Sequence, residues 1–243
     1  DFNGAGQVGA NLLDFTIADG KRSSVARMYL AKASDRPNLE VRTGSFVHQL
    51  IIENGRAVGA RYQRDGKMME ARADREVLVC QGAIGSPQLL MLSGIGPADD
   101  LKALGIDVKA DLPGLGQNLQ DHLNIPLQFT CPDPKATFDR WQRPDRALFL
   151  GASYFLSGGK WGPGGNAFWS AGAFSPGEAD EPDFPKFQVF FTPMGVKEDP
   201  ETYKKSAFPG FQLDINQMHP EARGWMKLRS TDPTDHPILE PNY

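Results

Sequence analysis

The clearest pattern along the chain is a period-two alternation of apolar and polar residues in two adjoining runs. Ser45–Ile52 and Ala57–Gln63 alternate, and Glu53-Asn54-Gly55-Arg56 separates them. Alternation puts the apolar side chains on one strand face, and Asn-Gly is the dipeptide that closes a two-residue hairpin. Arg64-Asp65-Gly66-Lys67 repeats the signal, so a β-meander is expected. Leu39–Arg42 before it and Glu76–Cys80 after it read as short strands of the parallel type.

Helical spacing appears elsewhere. Val25, Met28, Tyr29 and Ala33 recur with a period that predicts a helix over 21–33, and 99–104 and 146–156 read as helices too. Behind Glu76–Cys80, small residues lead to Ser86, Pro87 and, further on, Gly94. These suit an N-cap, a first helical position and a left-handed stop. Past Asp121-His122 the composition turns to Pro, Asp and Arg. Strands are then expected at 168–174, 187–192, 211–217 and 225–229, as an antiparallel sheet with one exposed face. The fold class is therefore α/β with α+β, divided near Leu123 into 1–123 and 124–243.

Composition narrows the partners. Of 243 residues, 40% are hydrophobic and 23% charged, as in ordinary globular domains. A net charge of −4 supplies no basic face, which weighs against nucleic acid. No apolar run approaches the roughly 20 residues of a membrane helix, so no transmembrane segment is expected. The compartment is not legible in these residues; a soluble, cytoplasmic protein is the default expectation. Cys80 ends a buried-type strand, which favours two unlinked thiols over a bridge to Cys131. Gly4-x-Gly6-x-x-Gly9 matches the dinucleotide fingerprint in letters. It lacks the preceding strand and following helix that give the fingerprint its mechanism, so it reads as a loop.

The histidines offer little catalysis on their own. His122 adjoins Asp121, but neighbouring residues seldom face one another, and a turn role is favoured. His219 and His236 lie beside prolines and should be exposed, while alternation aims His48 away from the face of Val47. With no histidine pair at helical spacing and no cysteine pair, metal binding is not expected. The absence of Gly-x-Ser-x-Gly weighs against a serine hydrolase.

The string Gly82-Ala83-Ile84-Gly85-Ser86-Pro87-Gln88-Leu89-Leu90-Met91-Leu92-Ser93-Gly94-Ile95-Gly96 resembles the second signature of the glucose–methanol–choline (GMC) family of flavin oxidoreductases. Gly116-Gln117-Asn118-Leu119-Gln120-Asp121-His122 resembles a further family turn. Pro220–Gly224 and Asp232–Tyr243 resemble its closing strands, and the stretch from Pro220 to Tyr243 resembles the choline dehydrogenase branch. The resemblance implies part of a Rossmann-like FAD-binding domain over 1–123 and a substrate-binding domain over 124–243. It implies FAD-dependent oxidation of an alcohol to an aldehyde or ketone, with hydride passing to the flavin and a histidine taking the hydroxyl proton. The family's glycine fingerprint sits upstream of the segment like Asp1, and its proton-handling residues sit beyond the segment like Tyr243. The chain is thus expected to be an internal portion with no assignable catalytic residue, binding FAD weakly and inactive alone.

The resemblance points to Val47 as a backbone contact to adenine. Gly82 and Ala83 stand where a strand end approaches a ribose or pyrophosphate, or where close packing needs small residues. Phe168, Trp169, Phe187, Phe190 and Phe191 would supply an aromatic pocket wall, with Phe168 and Phe190 as the residues expected to touch substrate. No acid lies between Phe187 and Pro193 and Lys186 adjoins them, which tilts the expected substrate towards an uncharged alcohol. The electron acceptor is not legible. The alternatives are a hydroxynitrile lyase on the same fold and a non-catalytic binding fragment.

Overall fold

A computed structural model describes residues 2–4, 6–133, 135–141, 143–160, 171–181, 183–198 and 205–243. The chain forms two compact units, one of Asp1–Leu39 with His122–Pro220, the other of Glu40–Asp121 with Glu221–Tyr243. The passage at 121–122 adjoins the boundary read near Leu123, but each unit also takes a stretch from the far side of it. The first is called the sheet unit below and the second the meander unit.

Gly4 and Gly6 lie in a loop that feeds strand β1 (Gly9–Leu12). Two-residue strands at 17–18 and 21–22 follow, closed by Asp19 and Gly20 at φ 51° and 70°. This hairpin takes the start of the helix expected over 21–33. Only a π-turn, Ala26–Leu30, and a short α-turn, Ala31–Ala33, form there.

The meander is as expected: β2 (Phe46–Glu53), β3 (Arg56–Arg64) and β4 (Lys67–Arg72) pair antiparallel in sequence order. Asn54-Gly55 and Asp65-Gly66 all take positive φ, between 50° and 75°, as a type I′ turn requires. Leu39–Arg42 and Glu76–Cys80 are not strands. No described segment pairs with either, and Leu78 is 76% exposed. An extended run without a hydrogen-bonded neighbour has no ladder to belong to. Among the described residues the parallel pairing is Ile95–Gly96 with Ala110–Asp111.

Helix α1 (Gly82–Leu92) starts a turn earlier than its punctuation suggested, with Gln81 at the N-cap and Pro87 inside. Ser86 is not the cap; its Oγ accepts a hydrogen bond from the Gln81 N–H at 3.1 Å. Because Pro87 has no N–H, the Ala83 carbonyl lacks its helical donor. The stop at Gly94 is as read, at φ 87°, where a Cβ would collide with the Asp107 carbonyl oxygen. Helix α2 (Ala98–Ala103) follows. Met91, Leu92, Leu101, Met226 and Leu228 make the buried core of this unit. Gly224–Lys227 pairs with Gln117–Leu119 and Ile238–Glu240, so the strand expected over 225–229 belongs here and not to the sheet after Leu123.

In the sheet unit, β5 (Asn124–Thr130), β6 (Ala171–Phe174), β7 (Phe187–Thr192) and β8 (Gly210–Gln217) join β1 in an antiparallel sheet of order β1-β6-β7-β8-β5. Between β5 and β6, helix α3 (Pro144–Ser157) ends at Gly158 in the left-handed region. Phe168 and Trp169 lie outside the described residues.

Candidate functional site

In the meander unit, β2 and α1 meet through Ser93. Its Oγ accepts the Leu50 N–H at 2.8 Å and donates to the Leu89 carbonyl at 2.6 Å. This bond fixes the end of the helix against the strand, and the helix start then faces Val47. At Val47–Gln49 the register with β3 slips by one residue. The residue skipped is His48, while Val47 keeps Tyr62 as its partner next to the irregularity.

A cavity of about 340 Å³ joins these features, lined by Ser45, Val47, Gln81 and Gly85, with Thr234 and Asp235 on its far side. Ser45 Oγ is buried there without a hydrogen-bond partner. Gly82, at φ 77°, faces open space. Near its N-terminus a helix carries unbonded N–H groups and a positive dipole end, which suit an anionic group. The far wall is stapled internally: Thr234 donates through Oγ1 and N–H to Asp232 Oδ1, at 2.7 and 2.8 Å, and Gln88 Nε2 donates to the Asp235 carbonyl at 2.9 Å. The Thr234 hydroxyl, then its N–H, hold the Asp232 carboxyl below its ordinary range.

The expected aromatic wall is divided by the pleat of the sheet. Register places Phe187, Val189 and Phe191 with Leu213, Ile215, Leu127 and Ile125 on one face. Phe129 and Phe211 stack there at 5.1 Å between centroids. Phe190 points to the other face, directly opposite Asp214. That face is polar. Asn124 Nδ2 donates to Asn216 Oδ1 at 2.8 Å, and Gln128 Nε2 to Gln212 Oε1 at 2.9 Å. Burial runs against the usual expectation: Asn216 is buried and Phe190 and Asp214 half-buried, while Ile125, Leu127, Phe187 and Leu12 on the apolar face are exposed. Sequence reading missed Asp214 because it lies 24 residues from Phe190 and only strand pairing joins them.

Lys186, which tilted the expectation towards an uncharged substrate, forms an ion pair with Glu178. Val47 lines the smaller cavity and His48 a separate one of about 660 Å³, so the two diverge as alternation requires. His48 Nε2 is buried there without a partner, but the cations on that rim are taken: Arg61 by Glu70 and Lys109 by Asp107. His219 and His236 are exposed. Both cysteines are free thiols; Cys80, however, is exposed, because the run that ends at it has no partner strand. Asp121 accepts a 2.7 Å hydrogen bond from the Tyr243 hydroxyl, and this bond raises the Tyr243 pKa.

A family model described as GMC oxidoreductase matches residues 1–124. The oxygen-dependent choline dehydrogenase of Burkholderia vietnamiensis is 40% identical over 247 residues, covering 100% of this chain and 42% of that protein. The mitochondrial choline dehydrogenase of Mus musculus is 40% identical over 243 residues, covering 100% of this chain and 40% of that protein. Among solved structures, pyridoxine 4-oxidase from Mesorbium loti covers 100% of this chain and 43% of its own, with TM-score 0.76 and 28% identity. A formate oxidase covers 94% of this chain and 43% of its own, with TM-score 0.79 and 25% identity. The chain thus spans well under half the length of these relatives. No helix among the described residues is long and apolar enough to cross a membrane.

Proposed function

This chain belongs to the GMC oxidoreductase family, and on that premise we propose that the full-length protein oxidises a small alcohol to an aldehyde or ketone. FAD is the cofactor of such enzymes, and bound FAD supplies the acceptor for the hydride leaving the alcohol carbon. The residues present fit it. One cavity brings together the strand bulge at Val47, the orphaned Ser45 Oγ and the start of α1. That juxtaposition carries the reading.

In this reading the backbone at Val47 holds the adenine edge. The small residues Gly82 and Ala83 let the chain approach the ribose and pyrophosphate, and the N–H groups near the helix start offset phosphate charge. The meander unit is the FAD-binding part and the sheet unit the substrate-binding part, with Phe190 and Phe168 as substrate contacts. No side chain of the described residues is assigned the alcohol's proton.

Anaerobic addition of alcohols to the full-length flavoprotein tests this. Bleaching of the oxidised flavin by at least one alcohol is expected. A flavin that stays oxidised while a cyanohydrin is cleaved would replace the proposal with a lyase. Val47→Asp, which places an acid beside the adenine edge, should weaken flavin retention about tenfold, roughly 1.4 kcal/mol. Unchanged flavin content after purification would remove Val47 from the site.

A further inference from the structure

The cavity of about 660 Å³ in the meander unit is separate from the one at Val47 and plays no part in the flavin reading. Its volume is that of an ordinary small-molecule site. Its lining combines apolar Leu50, Ile52 and Ile106 with three basic groups, His48, Arg61 and Lys109. The bulge in β2 makes two of these neighbours: His48 is the residue skipped before Gln49, which is paired with Arg61. A buried polar atom in a native fold has a partner, or it marks a place where an ion or ligand sits. His48 Nε2 is buried and has none. It donates in the Nε2–H tautomer and in the imidazolium. Arg61 is engaged on one side, where its Nε donates to Glu70 Oε1 at 2.9 Å. Among the described residues its Nη1 and Nη2 meet no acceptor. That edge of a guanidinium, with two parallel N–H groups, fits both oxygens of one carboxylate. The acids near the cavity are already engaged, Asp107 by Lys109 and Asp232 by the Thr234 hydroxyl and N–H. Donors are thus left without acceptors beside apolar surface.

We propose that this cavity is a second binding site, for a carboxylate carried on a hydrocarbon body. Arg61 and His48 Nε2 donate to the carboxylate, and Leu50, Ile52 and Ile106 cover the chain. The inference does not rest on the flavin reading. The Arg61–Glu70 ion pair stays in place, because the ligand uses the two nitrogens that Glu70 leaves free. The Arg61 side chain is 53% exposed, and a charge pair in such a setting contributes little by itself. Burial of the hydrocarbon must supply the rest. Neither a bare anion nor an uncharged chain should therefore bind well.

The test uses the full-length, flavin-loaded protein and three probes titrated by calorimetry: octanoate, its uncharged amide octanamide, and acetate as the bare carboxylate. Octanoate should bind about tenfold more tightly than either of the others. Arg61→Gln should raise the octanoate Kd about tenfold, and Arg61→Lys, which keeps the charge but loses the fork, about threefold. His48→Leu, which removes the third donor, should also cost about threefold. Octanamide binding should be the same in all variants. Neither side chain belongs to the buried core, so unfolding of the ligand-free variants should match that of the unsubstituted protein. Absence of octanoate binding, a Kd that neither the Arg61 nor the His48 substitution moves, or octanamide binding as tightly as octanoate would each overturn the site.

Discussion

The two units handle their apolar residues in opposite ways. Every large apolar side chain that is buried among the described residues lies in the meander unit, from Leu50 to Leu228. Among the described residues of the sheet unit the buried side chains are Thr137, Ser153, Ser157 and Asn216 with two prolines, Pro185 and Pro193, while Leu12, Leu148, Phe155 and Leu156 are each more than 70% exposed. A closed apolar core gains stability from every methylene it removes from water, at about 25 cal/mol per Å². The sheet unit takes its order from its ladder of pairings, with an apolar face left open on one side and a polar face half-covered on the other. Apolar burial is thus concentrated in one of the two regions. The meander unit is where a core substitution should destabilise the fold, and the sheet unit is where an apolar residue should be replaceable at little cost.

The largest effect that tests this contrast is Leu101→Ala. Leu101 is 1% exposed and sits in the cluster with Met91, Leu92, Met226 and Leu228. Removing its side chain should cost about 3 kcal/mol in chemical unfolding, since buried Leu→Ala substitutions leave a cavity the surroundings only partly refill. A loss under about 1 kcal/mol would mean that this cluster is not what holds the unit together.

Ser93→Ala comes next. Its hydroxyl is a single atom shared between the Leu50 N–H and the Leu89 carbonyl, at a residue 3% exposed. Alanine would strand the Leu50 N–H inside the protein, at a cost of about 2 kcal/mol. Hydrogen exchange should show faster opening at Leu50 in particular, because the substitution removes its only side-chain acceptor. Unchanged protection there would show that another group takes over the bond.

How far the sequence carries depends on whether a feature is local. Asn54-Gly55 and Asp65-Gly66 announce the meander because both turn residues must take positive φ, and few dipeptides do so cheaply. Asp19-Gly20 gives the same signal, and the helical spacing of Val25, Met28 and Tyr29 obscured it; Val25 and Tyr29 are both 73% exposed while Met28 is half-buried, so the stripe is only partly covered. Glu76–Cys80 has the composition of a strand but no partner, and composition does not reveal pairing. The start of α1 was missed because Ser86 looks like a cap while its hydroxyl turns back to the Gln81 N–H. For the proposed site, Val47 and Gly82 are expectations drawn from their strings, and Val47 lines the smaller cavity. The division of Phe190 from Phe187 and Phe191 follows from alternation alone. The pairing of Phe190 with Asp214 needed the register of two strands far apart in sequence.

The smallest predicted effect tests the contrast most sharply. Leu156, on helix α3, is 85% exposed, and Phe155 beside it is 82% exposed. If that side of the sheet unit contributes nothing to its order, Leu156→Gln should shift unfolding by less than about 0.5 kcal/mol, as surface substitutions do. Glutamine keeps the helix propensity close to that of leucine, so a larger loss would not come from the helix itself. A loss above about 1 kcal/mol in the full-length protein would therefore show α3 packed against other parts of the polypeptide. The sheet unit would then have an apolar core of its own, assembled from outside these residues, and the contrast between the units would vanish.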